Sequence, residues 1–332
     1  MKETFTPFLL SPSGKDYLWG GNKLKKEFNK TLNLDPLSET WECSTHKDGP
    51  SYVSSGKYKG LTLEEILKIH PEYLGEKNYN NQGQIPLLIK FIDAKHDLSV
   101  QVHPSDKYAN EHEGGQLGKT EMWFVLSHER KATLVVGLKK DMTKTEIRKC
   151  LKENTLEDYL NKIEVKNGEA FFIPSGTIHA IGKGNLIAEI QENSNLTYRL
   201  YDYGRLQKNG KPRELHVEKA LEVMNLKKSK TDYKAIKKIE KHPGYAIKML
   251  EQCQYFTTYQ LNLDTSKVKS MASYQSTKES FEVLLCYEGC GILTNKENNA
   301  YLPFFKGDCI FIPAESGEIK LHGKAKLLKV VG

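Results

Sequence analysis

Gly168-Glu-Ala-Phe-Phe-Ile-Pro174-Ser-Gly176-Thr-Ile-His179 and Gly307-Asp-Cys-Ile-Phe-Ile-Pro313-Ala-Glu-Ser-Gly317-Glu318 are two copies of one phrase. Each runs glycine, acidic residue, small residue, three apolar residues that include phenylalanine, then proline, at identical spacing. Glycine permits a tight turn into a strand, the acidic residue stays at its solvent end, the apolar run is buried, and proline ends the ladder. Two copies predict two related β domains. They differ where chemistry would sit, because His179 in the first is matched by Glu318 in the second.

Outward from the repeat, short runs rich in Val, Ile, Phe and Tyr recur between Gly, Pro and Asn signals. They fall at 87–92, 98–103, 122–126, 133–136, 170–173, 187–191, 197–201, 256–261, 281–287 and 309–312. Such spacing predicts a mainly β chain built as sandwiches or barrels. Helical patterns are few: 62–70, with Thr62 as cap and Glu65 three residues on, then 141–152 continuing toward 162, then 217–225. The stretch 227–241 carries seven lysines against Asp232 and Glu240 and reads as a solvated connector. It divides the chain into 1–226, the connector 227–241, and 242–332.

The 332 residues suit about two domains at roughly 150 residues each. With 38% hydrophobic and 27% charged residues, a fibrous, collagenous or disordered chain is excluded. Net charge is +7, small and partly local, which implies mild attraction for anions and no nucleic-acid partner. No apolar stretch approaches the roughly 20 residues of a spanning helix, so no membrane role is expected. The first ten residues are too short an apolar stretch for a secretory signal, and the cytoplasm is the expected compartment. Six cysteines, none in a C-x-x-C pair, read as buried free thiols.

In Leu98-Ser-Val-Gln101-Val-His103-Pro-Ser-Asp106, Gln101 and His103 lie two apart on a strand and leave the same face, while Val100 and Val102 take the other. Glu121 heads the next apolar strand, and His179 follows Pro174. Together they offer an N, N, O, O donor set without thiolate, closer to catalytic than structural zinc, with manganese, iron, cobalt and nickel left open. One carboxylate, one amide and two neutral imidazoles around a divalent ion leave the centre at +1, which favours anions. Lys119, two residues before Glu121, and Arg199 are candidates to hold a phosphate or stabilise an oxyanion. Phosphate donors by position are Ser105, Lys119 and Arg199, with the backbone of the 103–106 turn. Trp19, Trp41 and Tyr17 read as core or rim packing.

Gly168-x5-Pro174-x-Gly176-x2-His179 resembles the second signature of the cupin superfamily, and Gln101-Val-His103 with Glu121 resembles its first, Gln replacing a His. More narrowly the chain resembles the type I mannose-6-phosphate isomerases in their short bacterial form. The phrases are Glu39-Thr-Trp-Glu-Cys-Ser, Pro86-Leu-Leu-Ile-Lys-Phe-Ile-Asp-Ala-Lys, LSVQVHPSD, GKTEMWFVL, the His179 segment and Glu189-Ile-Gln-Glu-Asn-Ser-Asn-Leu-Thr-Tyr-Arg199. The resemblance implies two cupin-type jelly-roll barrels with a few short helices. It also implies interconversion of mannose 6-phosphate and fructose 6-phosphate through an enediol or enediolate, with one zinc per chain on Gln101, His103, Glu121 and His179.

Arg199 and Lys119 are implied in the active site, Glu189 as a candidate base, and Lys90 in the cleft. Lys119, His96 and Asp202 stand as other candidates for the base. Lys183 stands where the superfamily usually has Asn, the helical insertion is reduced to 141–162, and the C-terminal repeat lacks His ligands. The second barrel therefore reads as structural, and Glu282 with Gly289 as a vestige of the first signature. Monomer and homodimer stay open, as does a non-catalytic sugar-phosphate binder or regulator on the same fold.

Overall fold

The structure, a computed structural model, describes residues 5–207, 209–229, 238–295 and 300–332; residues 230–237 of the lysine-rich connector lie outside the described residues. Two antiparallel sheets enclose the first barrel. One has the strand order Ala170–Ile173, Glu121–His128, Asn185–Glu192, Leu87–Ala94, Glu39–Cys43, Ser13–Lys15. The other runs Tyr198–Tyr201, Val100–Val102, His179–Ile181, Thr133–Leu138, Leu160–Glu164. A ten-stranded sheet forms the C-terminal part around Glu282–Asn295 and Glu318–Val331. Among the described residues no helix is long and apolar enough to cross a membrane.

The repeated phrase folds as its residues require. Gly168 and Gly307 both take positive φ, 81° and 101°, and lead into the four-residue strands Ala170–Ile173 and Cys309–Ile312. Ile173 pairs with Glu121 and Ile312 with Glu282, so the copies share one register against their neighbours. Glu282 is thus the counterpart of Glu121. In place of imidazoles it meets Lys329 at 2.9 Å.

Sheet pairing crosses the division drawn at 226. Phe8–Ser11 pairs with Cys309–Ile312 and with Tyr52–Val53, which places two N-terminal strands in the C-terminal sheet. The reason is apolar: Phe8 stacks on Phe311, and Phe311 on Phe281, each at 5.2 Å. One core cluster, from Phe8 and Phe91 to Phe281 and Val330, joins the two barrels. Lys30 adds a polar tie, donating to Glu42 Oε2 at 2.7 Å and to the Gly307 carbonyl at 2.5 Å.

The helices are short. Leu63–Ile69 has the expected capping box of Thr62 and Glu65, and Val217–Val223 stops two residues before the predicted end. The helix expected to reach 162 covers only Lys144–Glu153. Left-handed Asn154 ends it, a 3₁₀ turn Leu156–Tyr159 follows, and Leu160–Glu164 pairs with Thr133–Leu138 as a strand. The helices Lys23–Phe28 and Asp106–His112 were not signalled by periodicity. All six cysteines are free, but Cys290 is exposed and Cys253 half-buried, against the expectation that all are buried.

Because Phe311 sits fully buried between rings from both ends of the chain, Phe311→Ala is expected to cost about 3–5 kcal/mol. Denaturant unfolding followed by tryptophan fluorescence, which reads the first barrel, should shift with it. An unchanged midpoint there would mean that the barrels do not share a core.

Candidate metal centre and the cavity above it

Four adjacent strands carry one row of side chains in register: Trp41 opposite Lys90, Lys90 opposite Glu189, and Glu189 opposite Trp123. Strands about 4.8 Å apart hold such neighbours within reach of one another. Lys90 Nζ lies 3.3 Å from Glu189 Oε1 and 3.7 Å from Glu39 Oε2. Lys119 Nζ lies 3.6 Å from Glu189 Oε1 and bonds Glu121 Oε2. The result is a buried sequence of alternating charges, Glu39, Lys90, Glu189, Lys119, Glu121. The two indoles fix its carboxylates: Trp41 Nε1 donates to Glu39 and Trp123 Nε1 to Glu189, both at 2.9 Å.

Burial raises the Glu189 carboxyl, but Lys119 and Lys90 together outweigh it and hold Glu189 well below the usual carboxylate range. Burial likewise lowers the Lys90 ammonium, and Glu39, Glu189 and Glu121 reverse that. Glu189 is therefore an ionised acceptor and Lys90 a fixed cation.

Glu121, His103 and His179 are fully buried, and their ligand atoms all lie within 4.8 Å of one another. His103 Nδ1 faces the Leu196 carbonyl and His179 Nδ1 the Thr177 carbonyl, each at 2.8 Å. Burial, then Lys119, pushes both imidazoles far down, His179 to about 3, so both are neutral. A neutral ring that donates through Nδ1 presents a lone pair at Nε2. Nε2 of His179 and Oε1 of Glu121, 3.4 Å apart and buried, have no hydrogen-bond partner in the protein. Orphaned acceptors of this kind, aimed at one point, fit a divalent cation. Gln101 stands in register between His179 on one side and Arg199 on the other, so the three side chains share one face of the sheet.

Lys119, bonded to Glu121, also lines a cavity of about 220 Å³ together with Gln101, Glu189, Lys90 and Arg199 among the expected residues. Ser105 is not in its lining. It is exposed and N-caps Asp106–His112, its hydroxyl accepting from the Tyr108 amide, so the phosphate role expected of it has no geometric support. Of the alternative bases, His96 lines a different cavity and Asp202 is tied to Arg205 and Arg213. Ser99, Tyr17, Trp19, Glu39, Arg213 and His216 also line the active cavity. Sequence reading placed Ser99 only as a neighbour of Gln101 and gave Arg213 and His216 no role. Same-face parity with Gln101 was a usable signal for Ser99.

The turn that carries Lys119 is held from below. Gly118 N donates to Asp106 Oδ1 at 2.8 Å and Thr120 N to Glu192 Oε1 at 2.6 Å. Burial, then the hydrogen bond and charge of Asp106, pushes the Glu192 carboxyl up from 4.5 to about 8. The folded state thus binds a proton that the unfolded chain has released between those pH values. Stability is expected to be full below the lower value and to fall as pH rises through the window, by at most about 1.4 kcal/mol per pH unit. Glu192→Gln keeps the amide acceptor without the charge. Melting curves at about pH 6 and about pH 8 should then lie closer together than those of the parent; an equal gap would remove Glu192 as the cause.

The family model described as "Phosphomannose isomerase type I, catalytic domain" matches residues 8–117, and that described as "Mannose-6-phosphate isomerase, cupin domain" matches 246–331. Mannose-6-phosphate isomerase ManA of Bacillus subtilis is 38% identical over 325 residues, 98% of each chain. A mannose-6-phosphate isomerase of Streptococcus mutans is 38% identical over 269 residues, 81% of this chain and 83% of its own. The crystal structure of a mannose 6-phosphate isomerase from Bacillus subtilis superposes with a TM-score of 0.89 at 35% identity, covering 98% of this chain and 99% of that one. The cupin-type fold follows from these matches and the two barrels, and the chain belongs to the type I phosphomannose isomerases.

Proposed function

We propose that this chain interconverts mannose 6-phosphate and fructose 6-phosphate as a metal-dependent aldose–ketose isomerase. The observation that carries the reading is the buried ligand triad joined, through Lys119, to a cavity lined by Glu39, Lys90, Lys119 and Glu189. A protein that only bound sugar phosphates would gain nothing from desolvating three carboxylates and two ammonium groups there.

Gln101, His103, Glu121 and His179 would hold the ion, and two imidazoles with two oxygens suit zinc, one per chain. When bound, such an ion supplies Lewis-acid stabilisation of developing negative charge on the sugar oxygens. With Glu39, Glu121 and Glu189 against Lys90 and Lys119, the cluster carries −1 without a divalent ion and +1 with one.

The reaction moves one proton from C2 to C1 and one from O2 to O1, leaving the atom count unchanged. Glu189, ionised and fixed by the Trp123 indole, is the group placed to carry the carbon proton. In the free enzyme its two lysines keep it a weak base. A substrate oxygen that accepts from Lys119 takes a share of that cation's charge without moving it and strengthens the base as the oxyanion develops. Lys119 and Arg199 then stabilise that charge from the cavity wall. Lys90, held by Glu39 and Glu189, sets the field at the reacting carbons. A dianionic sugar phosphate does not cross a bilayer unaided, which favours the cytoplasm as the workplace.

The purified chain is expected to interconvert the two hexose phosphates in a coupled assay, to lose this activity to a chelator and to regain it with zinc. No turnover with metal fully loaded would overturn the reading. His179→Ala should lower bound metal, measured by atomic absorption. Arg199→Ala should keep metal and lose about 10²–10³-fold in kcat, the usual range for removing an oxyanion partner. Equal metal loss in both variants would contradict the separation of roles. Glu189→Gln should abolish exchange of the substrate C2 proton with solvent deuterium while metal content stays unchanged; retained exchange would take the base role from Glu189.

A further inference from the structure

Glu121 and Lys119 are neighbours in the site but are held in place by different means. Glu121 opens its strand and pairs on both sides, with Ile173 and with Gln191. Lys119 precedes the strand and lies outside that ladder. Its position is set by bonds across the 117–120 turn. Lys119 N donates to the Pro104 carbonyl at 3.1 Å, Gly118 N to Asp106 Oδ1 at 2.8 Å, and Thr120 N to Glu192 Oε1 at 2.6 Å. Ser194 Oγ donates to the Leu117 carbonyl at 3.0 Å. Gly118 also fits closely, since a Cβ there would lie 2.7 Å from the Pro104 oxygen that receives Lys119 N.

Asp106 is the hub of this turn, and the first barrel holds it weakly. It begins the helix Asp106–His112, of which only Ala109 is buried. The second barrel supplies what is missing: Tyr255 donates its hydroxyl to Asp106 Oδ2 at 2.8 Å, leaving Oδ1 directed at Gly118. Tyr255 lies between strands Tyr245–Gln252 and Thr257–Asp264, in a turn closed by the Cys253 amide on the Phe256 carbonyl at 3.0 Å. Phe256 is buried in the core cluster that joins the barrels, and Tyr255 packs against the same cluster. The phenol is therefore fixed from its own side before it meets Asp106, and a hydrogen bond to a carboxylate is among the stronger kinds.

We infer that Tyr255 of the second barrel is a positioning residue of the isomerase, which through Asp106 fixes the 117–120 turn and hence the point from which Lys119 enters the cavity. It belongs neither to the cavity lining nor to the ligand triad. The inference rests on the isomerase reading for its effect on rate, while the clamp on the turn is independent of it.

The test compares the parent chain with Tyr255→Phe, Asp106→Asn and the double variant, all loaded with zinc. Tyr255→Phe keeps the ring packing and loses only the hydroxyl, and melting curves check the fold. Its kcat for mannose 6-phosphate is expected to fall about tenfold, within the roughly 10²-fold that a misplacement of about 1 Å can cost. Bound metal should stay at the parent level, because Glu121 keeps its strand partners. Hydrogen exchange read by mass spectrometry should quicken at 117–120 and stay as in the parent at 100–103. A tyrosine that acts through Asp106 adds nothing once Asp106 is changed, so the double variant should lose no more kcat than Asp106→Asn alone. Additive losses would overturn the inference, as would parent kcat or parent exchange at 117–120 in a folded Tyr255→Phe variant. A metal-loaded parent that turns over no hexose phosphate, yet shows the quickened exchange on loss of the hydroxyl, would sink the isomerase reading and leave the clamp standing.

Discussion

Five charges, Glu39, Lys90, Glu189, Lys119 and Glu121, are buried at 0–7% exposure in a line across the first barrel. Desolvating any one of them alone would cost several kcal/mol, and attraction between neighbours offsets this only when every member is present and in place. The strand register supplies the placement, because Lys90 and Glu189 are direct cross-strand partners and the flanking Trp41 and Trp123 are the next partners outward. A slip of one residue would turn the whole row to the other face of the sheet. The sheet and the site therefore depend on one constraint. Each carboxylate sees at least one ammonium, and Glu189, which sees two, is held ionised, whereas burial and the charge of Glu189 push the Glu121 carboxyl up to about 7.

The two barrels show what the same position becomes under different neighbours. Glu121 and Glu282 occupy matching registers in the repeated phrase, and both are buried. Around Glu121 two neutral imidazoles converge, His179 with its Nε2 unpartnered and His103 with its Nε2 3.2 Å from Lys119 Nζ. Around Glu282 the space is taken by Lys329, whose ammonium also lies 4.0 Å from the Tyr274 ring centre. A single lysine neutralises the carboxylate and leaves no donor set for an ion. Among the described residues the triad of the first barrel is the one group of His and acidic side chains gathered in this way.

Strand parity made much of the site legible. Gln101 flanked by buried Val100 and Val102 follows from the period of two, and the repeat placed His179 just after a proline-terminated strand. Glu121 followed from its place at the head of an apolar strand and Lys119 from parity with it, although the strand begins only at Glu121 and the lysine precedes it. What escaped is contact between segments without a period. Ser105 reads as a phosphate donor by proximity to His103, yet the helix that starts after it claims its hydroxyl. Arg213 lies in an irregular stretch whose path is set by hydrogen bonds to Arg199, and no local pattern reports such bonds. The helix expected to run to 162 fails because left-handed Asn154 stops it and the next residues find a strand partner. The pairing of the N-terminal strand across the division at 226 escaped because a ring stack between Phe8 and Phe311 cannot be inferred from either segment alone.

The second barrel reaches Lys119 through polar contacts as well as through the shared core. Tyr255, from the C-terminal part, donates its hydroxyl to Asp106 Oδ2 at 2.8 Å, while Oδ1 of the same carboxylate accepts the Gly118 amide. Gly118 has no room for a side chain, since a Cβ there would lie 2.4 Å from the Asp106 amide nitrogen. The 117–120 turn is thus clamped between Asp106 and Glu192, and Lys119 leaves it toward His103 and Glu121 with little freedom to swing. A lysine side chain loses up to about 2 kcal/mol of rotamer freedom when held in this way. Fixing it beforehand removes that cost from any contact Lys119 makes in the cavity, and the C-terminal part contributes to that fixing through Tyr255.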